Sequence, residues 1–369
     1  MIVAVNSLKL RSFPLYLIPM SILTRGVLAS ACVFALLLAA SGAQAAAVYN
    51  FQDIVNSGDP TFNQELGINN SGMIAGYFGS GGMNLTPPPF TLNPNQGYTV
   101  VSPYTQGSFT SENFPGSSQT QVTGLNNTGT TVGFYADSNG VNTPNFLGFV
   151  DQGGTFTSVT DPNTPAMSPA TNQLLGVNDN NIAVGFYVDG SGNAQAYSYN
   201  IVTMAFTPVT LPGADNAVMT TAAGINNAGE IAGFFTNAGG STEGFIDNSG
   251  TFTLFEVPGS NNTMFLGINN EGEAVGVYQD GNGFNNGFVY NIANQTYQTV
   301  NDPNAVLANG GTVINGLNDN GQLVGFYADA NGNTIGLLAT AVPEPSSLGF
   351  VALGVFGLGF IRRFRKPVS

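Results

Sequence analysis

Histidine and tryptophan are absent from these 369 residues, there is a single cysteine, and only seven residues are basic. The seven are Lys9, Arg11, Arg25, Arg362, Arg363, Arg365 and Lys366, all near the two ends. From residue 46 to residue 341 there is no Lys, Arg, His, Cys or Trp. Each absence closes off chemistry. Without His or Lys there is no Ser-His-Asp triad, no imidazole base and no Schiff base. Without Cys or His there is no ordinary zinc, copper, haem or iron–sulfur site, and no disulfide can staple this stretch. The same stretch holds 20 of the 21 acids, which gives it a charge near −20. Phosphate neutralisation needs Lys or Arg, so nucleic acid is not expected as a partner, and neither is an anionic membrane surface. What remains is carboxylate chemistry and metal binding through oxygen.

The basic residues mark two targeting segments. Arg25 precedes an apolar run from Val27 to Ala40, and Ala43-Gln-Ala45 fits the small-residue rule for signal cleavage. Residues 1–45 are therefore expected to be a signal peptide. Met20 begins a complete signal by itself, and translation is expected to start there; a long basic leader is the alternative. Cys32 has Ala29 where a lipoprotein signal has Leu, so it is a poor lipidation site. At the other end, Val342, Pro343, Glu344 and Pro345 precede an apolar run from Leu348 to Ile361 and the cluster Arg362, Arg363, Arg365 and Lys366. A transmembrane segment is expected at about 346–361. It is short beside the ~20 residues of a lasting span, which suits a temporary stop. Basic ends on one side and an acidic middle on the other agree with the positive-inside rule.

This three-part tail, residues 342–369, resembles the PEP-CTERM sorting tail of bacteria that make exopolysaccharide. The resemblance implies that an exosortase-type membrane protease cuts near Val342–Pro345 and releases the protein to the cell surface. Tails of this type are also described as the C-terminal domain of ice-binding proteins. The chain has no flat Thr-x-Thr ladder, so that label would describe the tail only.

Between the signals lies a repeat array. The core motif recurs six times: GINNSGMIAGYF from Gly67, GLNNTGTTVGFY from Gly124, GVNDNNIAVGFY from Gly176, GINNAGEIAGFF from Gly224, GINNEGEAVGVY from Gly267 and GLNDNGQLVGFY from Gly316. The mean spacing of about 50 residues falls in the range of a four-stranded propeller blade. Each unit reads as four strands: one ending in Gly-x-Asn, an Asn-x-Gly turn that supplies positive φ, a VGFY-like strand, a GF-like strand, and an outer strand ended by Pro. No period of 3.6 appears. The last copy stops after its third strand, while VYNFQDIVNSGDP precedes the first motif like an orphan fourth strand. The fold expected is all-β: a six-bladed β-propeller over residues 46–341, closed by an N-terminal outer strand at about 48–56. The units also resemble the HAF-type extracellular repeat, on the INxxGxVVG segment, the GF-like strand and the TxxxxxxPG-like outer strand. The His of the HAF triplet is missing, with LGF, QAY, EGF and NGF in its places. No catalytic residue carries over.

Three kinds of candidate chemistry remain. The turn Asp329-Ala-Asn331-Gly-Asn333 partly mimics a calcium loop, without the bidentate Glu that completes one. Glu230 with Glu273, or Glu243 with Glu256, could serve as acid and nucleophile in glycoside cleavage. Paired aromatics such as Phe134-Tyr135 read as core, so sugar-stacking residues are sought in the irregular first unit at Tyr98, Tyr104 and Phe114. Taken together, the residues point to a non-enzymatic exported surface protein associated with exopolysaccharide. A carboxylate-only glycan hydrolase and a calcium-dependent adhesion module are the alternatives. A domain with about 20 acids and no base has no internal ion pair, and its carboxylates repel one another. Salt screens such repulsion, with a Debye length of about 10 Å at 0.1 M. The Tm of the exported domain is therefore expected to rise by a few degrees with ionic strength, and a scan in increasing NaCl checks it.

Overall fold

A computed structural model describes residues 47–81, 93–137, 145–166, 169–212 and 217–342. Among these residues there are 24 strands and two single-turn 3₁₀ segments. The first strand is β1 (Val48–Ile54). Blade one is β2 (Asn63–Ile68), β3 (Ile74–Phe78), β4 (Gln96–Val100) and β5 (Phe109–Ser111). Blade two is β6 (Thr120–Leu125), β7 (Thr130–Asp137), β8 (Asn145–Gln152) and β9 (Phe156–Val159). Blade three is β10 (Asn172–Val177), β11 (Ile182–Val188), β12 (Ala194–Asn200) and β13 (Ala205–Pro208). Blade four is β14 (Ala217–Ile225), β15 (Ile231–Asn237), β16 (Thr242–Asn248) and β17 (Thr251–Phe255). Blade five is β18 (Asn262–Ile268), β19 (Glu273–Gln279), β20 (Asn285–Asn291) and β21 (Thr296–Thr299). Blade six is β22 (Thr312–Leu317), β23 (Gln322–Ala328) and β24 (Thr334–Val342), with β1 as its fourth strand.

Within each blade the neighbours are antiparallel, and the β1–β24 register runs from Val48 opposite Val342 to Ile54 opposite Gly336. The strand expected to close the ring does so, over 48–54. A single parallel pair, Thr242 with Asn262, links blades four and five. Because strands alternate in direction, every Asn-x-Gly turn lies on one face of the propeller. The Asp-x-Asn-Gly turns and the lead-ins to each next blade lie on the other. Val48 and Val342 sit at the Asn-x-Gly face.

The repeated glycines have packing causes. Each first strand carries a bulge one residue before its glycine, at Glu65/Gly67, Val122/Gly124, Leu174/Gly176, Ala222/Gly224, Phe265/Gly267 and Ile314/Gly316. The carbonyl before the bulge presses on the glycine of the VGFY-like strand, so that a Cβ at Gly185 would run into Gln173 O. Between blades, the third-strand glycine receives a side chain of the next first strand. Gly97 faces Val122, Gly148 faces Leu174, Gly244 faces Phe265 and Gly287 faces Ile314. These knobs are fully buried and form the inter-blade core. The paired aromatics also pack inward: Tyr135, Phe235 and Tyr327 are buried, and none of their partners is exposed. Removing residues 48–54 would bare β24, leaving a row of unpaired donors and acceptors. That deletion is expected to lower Tm by more than about 10 °C and to cost the unfolding its cooperativity, as checked by calorimetry.

Candidate functional site: the axial mouth and the closing edge

The six first strands meet at the axis. A Cβ on Gly67, Gly124, Gly176, Gly224, Gly267 or Gly316 would lie 3.0–3.3 Å from the Cα of the matching glycine one blade on, and the circuit returns from Gly316 to Gly67. Backbone touches backbone here, so only glycine fits. The next residue but one is a buried Asn in every copy. Its amide crosses to the next blade: Asn69 Nδ2 donates to Asn126 O at 3.1 Å, Asn126 to Asn178 O at 3.0 Å, and so on until Asn318 donates to Asn69 O at 2.9 Å. Its Oδ1 accepts the N–H groups two and four residues on, which shapes the turn. Positive φ falls where the sequence places it, at Gly72, Gly129, Gly229, Gly272 and Gly321, with Asn181 in the third copy.

A second circuit lies above the first. The backbone N–H of Asn70 donates to Asn127 Oδ1 at 2.8 Å, Asn127 to Asp179, Asp179 to Asn227, Asn227 to Asn270, Asn270 to Asp319, and Asp319 back to Asn70 at 2.9 Å. The two carboxylates stand half a circuit apart. Asp179 Oδ2 accepts the amides of Asn127 and Asn227, and Asp319 Oδ2 those of Asn270 and Asn70. Burial by itself would raise both carboxyls, but the asparagine donors outweigh it and hold both below the ordinary carboxylate value. The mouth encloses about 80 Å³. Its amides and carboxylates are bonded to one another, and nothing in it titrates near neutral pH. It clamps blades together. The sequence displayed these residues as turn formers; their role across blades depends on the ring.

The other expected site residues are scattered. Asp329 Oδ1 accepts the N–H groups of Asn331 and Asn333, and its Oδ2 accepts their side-chain amides. Both asparagines therefore turn nitrogen, not oxygen, toward the carboxylate. Glu230 accepts the amides of Asn226 and Asn248, and Glu273 that of Asn269. Among the described residues no hydrogen bond joins Glu230, Glu243, Glu256 or Glu273 to another carboxylate. The sugar-stacking expectation for the first unit is corrected. Tyr98 lies in β4, 1% exposed, because its ring fills the core position held by Phe149 and Phe288 elsewhere. Tyr104 is half-buried and donates to Gly72 O, and Phe114 stacks on Tyr135 with centroids 3.7 Å apart. Ala43, Ala45, Pro343–Pro345, Arg362, Arg363, Arg365, Lys366 and the segment 346–361 lie outside the described residues.

Two acidic features went unread. Glu65 is wholly buried in a position that is Val122, Leu174, Phe265 or Ile314 in other blades, and it packs against Gly336 of blade six. Tyr98 donates to its Oε1 at 2.6 Å, while Oε2 has no partner. Burial pushes this carboxyl well above its ordinary value, against the Tyr98 hydroxyl, which lowers it. Glu112 is also raised, by burial and by its neighbour Asp151, against the Thr131 hydroxyl that donates to it.

Among the described residues no helix is long and apolar enough to cross a membrane. The sequence match that decides the sorting question covers residues 341–366 and is described as a PEP-CTERM protein-sorting motif. The chain carries a PEP-CTERM sorting signal. This motif implies export and processing by an exosortase, a membrane protein. It begins inside β24, at Ala341 and Val342. No curated protein matches the chain. Among solved structures, TolB from Acinetobacter baumannii is 12% identical over 72% of this chain and 63% of its own, with a TM-score of 0.44. This chain thus spans less than two thirds of TolB. The six-bladed Aleuria aurantia lectin, a fungal protein, is 10% identical over 77% and 99%, with a TM-score of 0.45. A PL25 ulvan lyase is 13% identical over 77% and 79%, with a TM-score of 0.41. None of the three lends its activity to this chain.

The buried acids set a pH dependence. Between the ordinary Glu value of 4.5 and its raised folded value, Glu65 keeps a proton that the unfolded chain releases. Stability is then complete below 4.5 and falls as pH rises. Asp179 and Asp319 act oppositely, and their contribution is lost as pH falls through values below 3.8. Maximum stability is expected in the mildly acidic range. Glu65→Gln, which keeps an acceptor for Tyr98, is expected to flatten the decline toward neutral pH, as measured by denaturant unfolding across pH.

Proposed function

We propose that this protein is a non-enzymatic β-propeller, displayed at the cell surface and associated with exopolysaccharide after an exosortase-type protease removes its tail. One observation supports the reading above others: Val342, the first residue of the Val-Pro-Glu-Pro signature, is also the last residue of β24 and pairs with Val48. The sorting motif starts where the closed ring ends. A cut beyond Val342 would free a complete domain with no blade left open. The boundaries that follow are 1–45 for the signal, 46–341 for the propeller and 342–369 for the tail. The prolines at 343 and 345 favour extended backbone at 342 and 344, which suits presentation to a protease. The cluster at Arg362, Arg363, Arg365 and Lys366 keeps the tail from being drawn through the membrane. The surroundings of the acids named as candidates support the non-enzymatic part: the axial carboxylates are tied to asparagine amides, and Glu230 and Glu273 accept asparagine amides with no hydrogen bond to a second carboxylate.

In a host with a matching protease, mass spectrometry of the surface fraction is expected to find a C-terminus near 342–345. Replacing Pro343, Glu344 and Pro345 with alanine is expected to leave full-length protein in the inner membrane, and neutralising the basic cluster is expected to reduce processing. An intact end at Ser369 on surface protein would identify a plain anchor. Co-sedimentation with the host's exopolysaccharide tests the remaining part.

A further inference from the structure

Each lead-in to a new blade places one residue before a proline: Asp59, Phe114, Asp161, Leu211, Val257 and Asp302. At blade two this residue is aromatic, and Phe114 lies flat on Tyr135 with planes 4° apart. At blade three, Asp161 stands in its place beside Tyr187, the counterpart of Tyr135. Where the second ring would lie there is instead a cavity of about 260 Å³ between blades three and four. Blade six has the same Asp–Tyr pairing in Asp302 and Tyr327, but there the phenol donates to Asp53 on the closing strand.

The walls are polar and aromatic. Asp161, Tyr187, Gln195 and Tyr197 come from blade three and its lead-in, and Thr220 comes from blade four. Asp161 is 4% exposed, and its Oδ1 accepts the N–H of Asn163 at 2.8 Å. Among the described residues, no hydrogen bond reaches its second carboxylate oxygen, the Tyr187 hydroxyl or Thr220 Oγ1. Asp161 and Tyr187 line the same cavity, and burial first, with the charges of Asp161 and Asp189 after it, raises the Tyr187 phenol.

These groups select a ligand class. The Tyr187 ring is half-buried beside Tyr197, and the part of it that borders the cavity takes an apolar C–H surface, while the free acceptors take hydroxyls. With no base between residues 46 and 341, and Asp161 and Asp189 at hand, an anionic ligand would be repelled without compensation. The volume is below the ~300 Å³ at which drug-sized sites begin, which suits one sugar ring and not a run of them. The cavity opens on the face away from Val48 and Val342, so a tail held at the membrane leaves it accessible.

We propose that this cavity binds a single neutral sugar unit of an extracellular polysaccharide, with Asp161 accepting hydroxyls and Tyr187 supplying the stacking face. The proposal rests on the polysaccharide reading above and narrows it to one place and to uncharged sugars. The test is saturation-transfer NMR on the exported protein with the methyl glycosides of glucose, galactose, mannose and fucose, and with methyl glucuronide as the charged counterpart. At least one neutral glycoside is expected to bind and the glucuronide is not. Tyr187→Ala and Asp161→Phe are each expected to weaken binding about tenfold or more. Asp161→Phe gives blade three the aromatic that blade two already tolerates, and cooperative thermal unfolding checks that each variant folds. Unchanged binding in both folded variants, or preference for the glucuronide, would overturn the site. If no neutral glycoside binds while the protein still sediments with exopolysaccharide, the site falls and the broader reading stands; if it does not sediment either, both fall.

Discussion

Backbone contact at the axis is the constraint on which the rest depends. Six glycines approach their neighbours so closely that a methyl group would have to displace main-chain atoms. Everything outward adjusts to that contact. A bulge precedes each glycine, and the next asparagine spans the gap to the following blade, where in most copies the carbonyl it meets already accepts an N–H of its own turn and takes the amide on its second lone pair. Each crossing bond contributes about 1 kcal/mol net. The ring is therefore held by six modest crossing bonds acting together with the glycine contacts. It uses amides in place of ion pairs, as a domain without a basic residue must.

The junction between blades six and one differs from the other five. At four of them a hydrophobic knob enters a glycine hollow, and between blades three and four Ala196 stands where the glycine would be; here the knob is Glu65, with Tyr98 as its partner and Gly336 beneath it. A carboxyl is a poorer filler than the leucine or phenylalanine of other blades, and one oxygen is unmet. The joint between the first blade and the last is thus less apolar than its hydrophobic counterparts and sensitive to pH.

Much of the fold was legible in the sequence because its cause is local and repeated. Asn-x-Gly turns, alternating strands and the orphan strand at the N-terminus each follow from short stretches, and six copies average out their exceptions. Blade one was misread where it departs from the pattern. The spacing between Ala75 and Gln96 hid the third strand, so Tyr98 read as a loop residue although it occupies the same core position as Phe149. The roles of Asn70, Asp179 and Glu65 were illegible for another reason. Each is defined by a residue on the adjacent blade, from 48 to about 270 positions away in sequence, and no local signal encodes that partner. The Asp161 cavity belongs to the same class: it appears only when one lead-in is set beside another in space.

The pairing of β1 with β24 joins the first of the described strands to the last. Loop closure on this scale sets the order of events, since β1 has no sheet to join until residue 342 exists. Until then the chain holds five blades and an unfinished sixth, with two open edges. Completion of the propeller is in effect a length measurement: the ring locks only when the whole array is present, and the last residue needed for the lock is also the first residue of the sorting signature. A chain cut short within the array would bear neither the lock nor the address.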